Sequence, residues 1–145
     1  IPLGRRMMRR AVLLSLAVLL LLTGCAQLKG AGTGTAPAEE TRPTPRYLDF
    51  SDILIPGELE RVPKECFITN GFGRLVVSGR VQSESLAQFF ITSLNSEGWV
   101  ALNQYKFQGS IKLFFKKQDK FASVLISEDP LSTRVELWVV PQEKI

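Results

Sequence analysis

In the segment Ile111-Lys112-Leu113-Phe114-Phe115-Lys116-Lys117, the apolar residues Ile111, Leu113 and Phe115 alternate with Lys112, Phe114 and Lys116. Because successive side chains of a strand point to opposite faces, this alternation predicts a β-strand with one buried and one wetter face. The segment Arg134-Val135-Glu136-Leu137-Trp138-Val139 repeats the pattern. Two such strands are typical of an antiparallel sheet that packs one of its faces against another layer.

Further strands are predicted around these two segments, over residues 67–69, 75–81, 99–107 and 121–127, with the last strand extending over residues 133–140. Asn70-Gly71 predicts a tight hairpin turn between the first two strands. Gly79 inside the second strand indicates a bulge or a close approach of two backbones.

One amphipathic helix is predicted between the second and third strands, over about residues 85–97. The apolar residues of one face recur at helical spacing and are Leu86, Phe89, Phe90 and Leu94. Ser85 with Gln88 three residues later fits a capping box, and Ser83 is the alternative cap. Gly98 is placed to end the helix in the left-handed conformation.

These elements predict an α+β domain with a mostly antiparallel sheet of about five to six strands and one amphipathic helix on one face, in the order β-β-α-β-β-β-β. The helix is expected to pack through its apolar face. The strand residues expected beneath it include Val77, Leu113 and Leu137.

The length of 145 residues and the placement of charge bound the class of protein. One hydrophobic core suits roughly 100 to 150 residues, so a single domain is expected. The chain has 18 basic and 14 acidic residues, but Arg5, Arg6, Arg9 and Arg10 precede Cys25 whereas no acidic residue does. From Cys25 onward the two kinds are equal in number, which argues against nucleic-acid binding.

Residues 1–24 are predicted to be an export signal. The segment from Ala11 to Leu22 is apolar apart from one serine and follows the arginines. At about 1.5 Å per residue it spans about 18 Å, less than the roughly 30 Å of a membrane core, as is typical of a signal peptide. Because Met7 or Met8 would start a normal signal, residues 1–6 are expected to precede the true start.

The segment Leu22-Thr23-Gly24-Cys25 resembles the lipobox of bacterial lipoproteins. The resemblance implies that the sulfur of Cys25 carries a diacylglycerol, that a peptidase cuts just before it, and that the new amino terminus is acylated. Two or three acyl chains provide the stable anchoring that one chain does not. The alternative is an ordinary secretory signal with a chance cysteine near its cleavage site.

The predicted domain organisation follows from this anchor. Residues 25–46 are rich in Gly, Thr, Ala and Pro and are expected to form the lipidated cysteine and a flexible tether. Residues 47–145 are expected to form the globular domain. Ala26 stands where an aspartate can act as an inner-membrane retention signal, so the outer membrane, with the domain facing the periplasm, is the expected location.

No catalytic, cofactor or metal site is predicted. Cys66, before Phe67-Ile68-Thr69, is expected to be buried and inert, with a disulfide to a partner and a reactive thiol as the alternatives. The chain contains no histidine to activate a thiol or a serine. Asp49 with Asp52, and Glu128 with Asp129, are interpreted as polar turns or loops, with metal binding as the alternative.

A candidate interaction surface is the clearest functional signal of the domain. Alternation places large aromatic and charged residues together on the face predicted to be polar: Lys112, Phe114, Lys116, Arg134 and Trp138. Such a mixture is common at protein interfaces, so a surface for a protein partner is expected. Alternatives are burial of this face under residues 47–63, and contact with a peptide or glycan.

Several segments together resemble an uncharacterised family of bacterial lipoproteins, over about Tyr47 to Pro141. They are Gly73 to Val81, Leu86 with Phe89-Phe90, Gly98-Trp99, Leu113 to Lys117 and Val135 to Pro141. The β-α-β order is also similar to helix-grip domains of outer-membrane assembly lipoproteins. A likeness of fold does not establish function, and the family implies no activity.

The sequence therefore predicts a membrane-anchored, non-enzymatic envelope lipoprotein whose domain is a protein-interaction module for another envelope protein. The alternative is a periplasmic binding domain for a small apolar or lipidic ligand held between helix and sheet. That ligand would occupy a cavity behind Leu86, Phe90 and Leu94.

Overall fold

The computed structural model describes residues 41–145, so the predicted signal peptide, Cys25 and most of the predicted tether lie outside the described residues. Contacts group Arg42–Ile145 into one unit. Within this described part, no helix has the length and apolar character needed to cross a membrane.

Within residues 41–145, nine strands and one α-helix follow one another. The strands before the helix are β1 (Arg46–Tyr47), β2 (Leu54–Ile55), β3 (Glu60–Arg61), β4 (Phe67–Thr69) and β5 (Phe72–Gly79), with a 3-10 turn at Pro63–Glu65 between β3 and β4. The helix α1 spans Ser83–Ser96. The remaining strands are β6 (Val100–Phe107), β7 (Ser110–Lys117), β8 (Lys120–Glu128) and β9 (Thr133–Pro141). Arg46, assigned by sequence to the tether, thus lies in β1.

Strands β3 to β9 form one seven-stranded sheet in the order β3-β5-β9-β8-β7-β6, with β4 also paired to β5. All its strand pairs are antiparallel. Strands β1 and β2 form a separate two-stranded sheet. The predicted α+β class, with a mostly antiparallel sheet and one helix, is confirmed.

The predicted strand count and order need correction. The main sheet has seven strands instead of five to six, and β1, β2 and β3 precede the first predicted strand. Each of these three strands is two residues long. Two residues cannot display alternation, so sequence periodicity does not detect them.

Helix α1 connects β5 to β6, which is the strand at the far edge of the sheet. Its buried residues are Leu86, Ala87, Phe90 and Leu94. They share one core with alternate residues of the central strands, including Val77, Leu113, Val124 and Leu137. The predicted packing of the helix on the sheet is therefore confirmed. Burial of this apolar stripe is the main source of stability for such a layer.

The turn and helix-end predictions at Asn70-Gly71 and Gly98 are confirmed. Asn70 and Gly71 have φ of 53° and 78° and form the two-residue turn between β4 and β5. Gly98 has φ of 87°. Its N–H donates to the carbonyl of Asn95, and the next N–H, of Trp99, donates to Leu94. These two bonds form the Schellman arrangement that ends many helices.

The predicted capping box at Ser85 and Gln88 is wrong. Helix α1 begins at Ser83 with Gln82 at the N-cap, and no side chain of the helix's own start makes a capping bond. Instead, the Ser83 N–H donates to Oε1 of Glu128 at 3.0 Å. Glu128 belongs to β8, which is distant in sequence. A tertiary contact therefore provides the acceptor for a free N–H of the first helical turn, whereas the local sequence predicted an acceptor from within the helix.

The arm between β1 and the end of β3 packs on the same side of the sheet as α1. Its buried hydrophobic side chains are Phe50, Ile53, Ile55 and Leu59, and all four belong to the core. Trp99 Nε1 donates to the Asp52 carbonyl at 3.1 Å. A Cβ on Gly79 would lie 2.4 Å from the Glu58 carbonyl oxygen, which confirms the close backbone approach predicted there. The arm therefore does not bury the face that carries Trp138.

Candidate functional site

The open face, as we call the side of the sheet opposite α1, contains a row of cross-strand neighbours. The row runs through Arg74 on β5, Trp138 on β9, Ser123 on β8, Phe114 on β7 and Asn103 on β6. Directly opposed residues of antiparallel strands project to the same face. The small Ser123 side chain separates Trp138 from Phe114, so a depression forms between the two aromatic side chains.

This depression belongs to an apolar groove of about 360 Å³, here called the aromatic groove. Its lining residues are Leu102, Phe114, Phe115, Phe121, Ala122, Ser123, Trp138 and Val140. Trp138 and Val140 are each 41% exposed, and Leu102 is 53% exposed. Single exposed apolar residues are ordinary, but a contiguous exposed group of them is typical of an interaction site.

Two lysines lie beside the aromatic groove. Lys112 Nζ is 5.6 Å from the centroid of the Phe114 ring, and Lys116 Nζ is 5.7 Å from that of Phe121. Cations at this distance over an aromatic ring are attracted by its electron density. Among residues 41–145, no ion pair includes either lysine. Their positive charges are therefore not neutralised by a carboxylate of the described chain.

The Trp138 side chain is held by a polar contact at the end of the groove. Its Nε1 donates to Oε1 of Glu136 at 2.6 Å, and Arg74 donates through Nε and Nη2 to the two oxygens of the same carboxylate, each at 3.0 Å. These bonds, chiefly those from Arg74, hold the pKa of Glu136 below its ordinary value although burial raises it. The ring orientation is thus fixed before any partner binds.

Arg134 lies on the open face but does not line the groove. Its guanidinium pairs with the carboxylate of Glu65 in the 3-10 turn. The Glu65 carbonyl also accepts a hydrogen bond from Arg74 Nη1 at 3.3 Å. The 3-10 turn therefore covers the β5 end of the open face. Of the five predicted surface residues, the structure brings Lys112, Phe114, Lys116 and Trp138 together and engages the fifth in an internal ion pair.

Strand β6 extends the aromatic surface to the edge of the sheet. All eight of its residues are exposed. Its register with β7 shifts between Ala101 and Asn103, so Leu102 is an extra residue in a β-bulge. Tyr105, beyond the bulge, lies opposite Lys112, and its ring centroid is 6.1 Å from that of Phe114.

Sequence reasoning missed several groove residues. Phe121 lies opposite Lys116 and Val140, so strict alternation of β8 would have placed it on the open face. The signal was obscured because β8 has large apolar residues on both faces. Tyr105 is a different case, since the bulge changes the phase of β6 and periodicity gives no sign of it.

The other candidate residues are engaged in internal contacts. The thiol of Cys66 is half-buried, donates to the Val62 carbonyl at 3.2 Å and accepts from the Val76 N–H at 3.3 Å. Asp49 pairs with Arg61. Asp52 pairs with Lys117 at 3.0 Å and Lys120 at 2.6 Å. The carboxylates of Asp49 and Asp52, considered above as a pair of calcium ligands, are thus each ion-paired with a basic side chain. Residues 41–145 contain no cluster of three possible metal ligands.

The lipobox residues Leu22, Thr23, Gly24 and Cys25 lie outside the described residues. Comparisons of the chain with protein-family models, with curated proteins and with solved structures each found no match. The resemblance to lipoproteins therefore stays a prediction.

Proposed function

We propose that this chain is a lipid-anchored protein of the bacterial cell envelope whose domain binds another envelope protein through the aromatic groove. The observation that carries the proposal is the uneven covering of the sheet. One face is sealed by α1 and the arm, whereas the other leaves Trp138 41% exposed beside an apolar groove. The role is that of a non-enzymatic interaction module held near the outer membrane by Cys25.

The composition of the groove supports a protein as the partner. Aromatic and basic residues are enriched in the centres of protein interfaces. Trp138 is fixed by Glu136 before binding, which reduces the entropy lost when a partner contacts it. The unpaired cations of Lys112 and Lys116 add electrostatic selectivity for acidic partners.

The alternative of a small apolar ligand between helix and sheet has less support. Leu86, Phe90 and Leu94 would line that ligand site. Each of these side chains is at most 1% exposed and packs with strand residues in the core. The aromatic groove lies on the opposite face of the sheet, away from these three residues.

The anchor is tested by the substitution Cys25→Ser. Because the acyl chains require the sulfur and cleavage follows acylation, we expect the variant to lose fatty-acid label and to accumulate uncleaved. Metabolic labelling with an alkyne fatty acid, read against the wild-type chain and a Cys66→Ser control, measures both. Label on the Cys25 variant at the wild-type level would contradict lipidation at this residue.

The partner surface is tested by photo-crosslinking in intact cells. A photoreactive residue at position 116, on the rim of the groove, is expected to form a discrete adduct with an envelope protein. The same residue at position 88, an exposed site on the outer surface of α1, is the matched control. Equal adducts from both positions would contradict a specific role for the groove.

A further inference from the structure

The two edges of the main sheet differ in how they are covered. On one side, β3 and β4 both pair with β5 and occupy its outer edge. On the other side, β6 is the last strand, and no strand of residues 41–145 lies beyond it. Such an edge presents backbone N–H and C=O groups that a further strand can pair with.

The backbone groups that face outward can be assigned from the hairpin. The turn at Gln108-Gly109 has two residues, so Phe107 and Ser110 form its closing pair, which exchanges hydrogen bonds. Alternation from this pair turns the backbone groups of Gln104 and Lys106 away from β7. Consistently, the Gln104 N–H donates to Oδ1 of the neighbouring Asn103 side chain at 2.8 Å.

Pockets lie next to this edge on both faces of the sheet. On the helix side, a pocket of about 280 Å³ is lined by residues that include Ile91, Ala101 and Gln104. On the open face, one of about 240 Å³ is lined by residues that include Tyr105, Phe107 and Lys112. Successive side chains of an added strand would point alternately toward these two faces.

The charge of the two outer strands favours an acidic occupant. Strands β6 and β7 contain the lysines Lys106, Lys112, Lys116 and Lys117 and no carboxylate. Lys117 is paired with Asp52. Lys106 contacts Glu84 through side chains that are 54% and 61% exposed, and such exposed pairs are weak and exchangeable.

We propose that an extended segment of the partner protein, with alternating apolar and acidic residues, adds to β6 as a further antiparallel strand. Its apolar side chains lie beside Tyr105 and Phe107 on the open face. Its acidic side chains lie beside Gln104 and Lys106 on the helix side. The inference rests on the proposed function, since it states how the partner of the open face docks.

A second copy of this chain fits the edge less well. Two β6 strands side by side would bring together two sets of lysines with no carboxylate on either outer strand pair. Like charges brought together in this way oppose association. A segment of opposite charge has no such cost.

The test uses the mature lipidated protein in detergent micelles and a fluorescent Val-Glu-Val-Glu-Val peptide as the probe. Saturable binding by fluorescence anisotropy is expected, and a Val-Lys-Val-Lys-Val peptide should not bind. The glutamates lie opposite Gln104 and Lys106, so N-methylation at the glutamates removes the bonds to β6 and should weaken binding at least about tenfold. N-methylation at the valines leaves those bonds intact and should weaken binding far less.

Two substitutions at the same position of the protein form a matched pair. Lys106→Pro removes one outward N–H at an edge position that tolerates proline, whereas Lys106→Gln keeps it. We expect Lys106→Pro to bind the peptide about fivefold more weakly than Lys106→Gln. Circular dichroism checks that each variant folds. If Lys106→Pro does not fold, the N-methylated peptides still test the proposal on the wild-type protein.

Three results would overturn strand addition. The first is equal binding of the two N-methylated peptides, and the second is absence of saturable binding. The third is a dimer of this chain, seen by sedimentation, that the acidic peptide dissociates. Adducts from position 116 could also persist in Lys106→Pro although this variant no longer binds the peptide. The partner would then dock on the groove without pairing to β6, so the proposed function would stand and strand addition would be wrong.

Discussion

Trp138 and Phe90 lie on opposite sides of the same sheet and differ in burial. Phe90 is fully buried under α1, whereas Trp138 is 41% exposed. Truncation of a buried phenylalanine costs about 3 to 5 kcal/mol, a large part of the roughly 5 to 15 kcal/mol that stabilises a small domain. We expect Phe90→Ala to leave the domain barely folded.

Trp138→Ala is expected to change the free energy of unfolding by no more than about 1 kcal/mol, because most of its contacts are at the surface. It should nevertheless abolish the adducts formed from position 116. Urea unfolding and crosslinking of both variants measure the two effects. A loss of stability as large as that of Phe90→Ala would mean that Trp138 supports the core and not a partner surface.

Asp52 makes stability depend on pH. Burial raises its pKa, but the hydrogen bonds and charges of Lys120 and Lys117 lower it by more, so the folded-state pKa lies below the ordinary 3.8. The unfolded state therefore binds the proton more tightly. The stabilisation from this carboxylate is complete well above pH 3.8 and is lost as pH falls through the folded-state pKa.

Asp52→Asn tests this ion cluster. The variant removes the charge that pairs with two lysines, both of which also lie over the Trp99 ring at 5.9 and 4.9 Å. We expect a loss of about 1 to 3 kcal/mol at pH 7 and a smaller loss at pH 3. Unfolding curves at the two pH values measure it, with Asp129→Asn in an exposed loop as control. An equal loss at both values would contradict the assigned role.

At the scale of the element, the bulge at Leu102 accommodates one extra residue between two parts of β6 that are each in register with β7. Before the bulge Val100 lies opposite Lys116, and after it Tyr105 lies opposite Lys112. Deletion of Leu102 removes the unpaired residue and makes Asn103, opposite Phe114, follow directly after Ala101, opposite Phe115. Strict alternation is then restored with the same partners, so Tyr105 and Phe107 should stay on the open face.

The deletion is expected to keep the contact between Tyr105 and Phe114, because the turn at Gln108-Gly109 sets the register of both rings, while α1 and the central strands stay folded. Nuclear Overhauser contacts between the two rings, together with peptide binding, measure the outcome. The substitution Leu102→Ala, which keeps the bulge, is the control. Loss of the ring contact in the deletion variant would contradict the assignment of Leu102 as the extra residue of β6.

The sequence predicted the long elements well and the short or bulged ones poorly. Strands β7 and β9 have clear alternation, and Phe114 and Trp138 were placed on the correct face for that reason. The strands β1 to β3 are too short to show a period. The start of α1 depends on Glu128, and the exposed side of Tyr105 depends on the bulge, so neither can be deduced from local sequence.

At the scale of the whole molecule, β9 joins two parts of the sheet that are distant in sequence. It pairs with β8, its immediate predecessor, and with β5, where Gly73 lies opposite Val139. A chain that stops before Thr133 loses this central strand and leaves β5 unpaired on that side. We expect it to be unfolded by circular dichroism and rapidly digested by protease.

The control for this truncation is a chain that stops after Gln142, which removes only exposed residues and keeps β9 with the bond from the Gln142 N–H to Asp119. We expect it to fold as the full chain does. Protease resistance of the shorter chain would show that β5 and the β6 to β8 strands form separate stable parts.

The central position of β9 also bears on biogenesis. During synthesis the amino-terminal part emerges first, so β5 and the apolar face of α1 appear before β9 does. Pairing across more than fifty intervening residues is slow compared with closure of the hairpins from β6 to β9. The nascent chain therefore cannot complete its sheet until β9 is available, a delay that leaves the apolar face of α1 uncovered and extends its need for a holding chaperone.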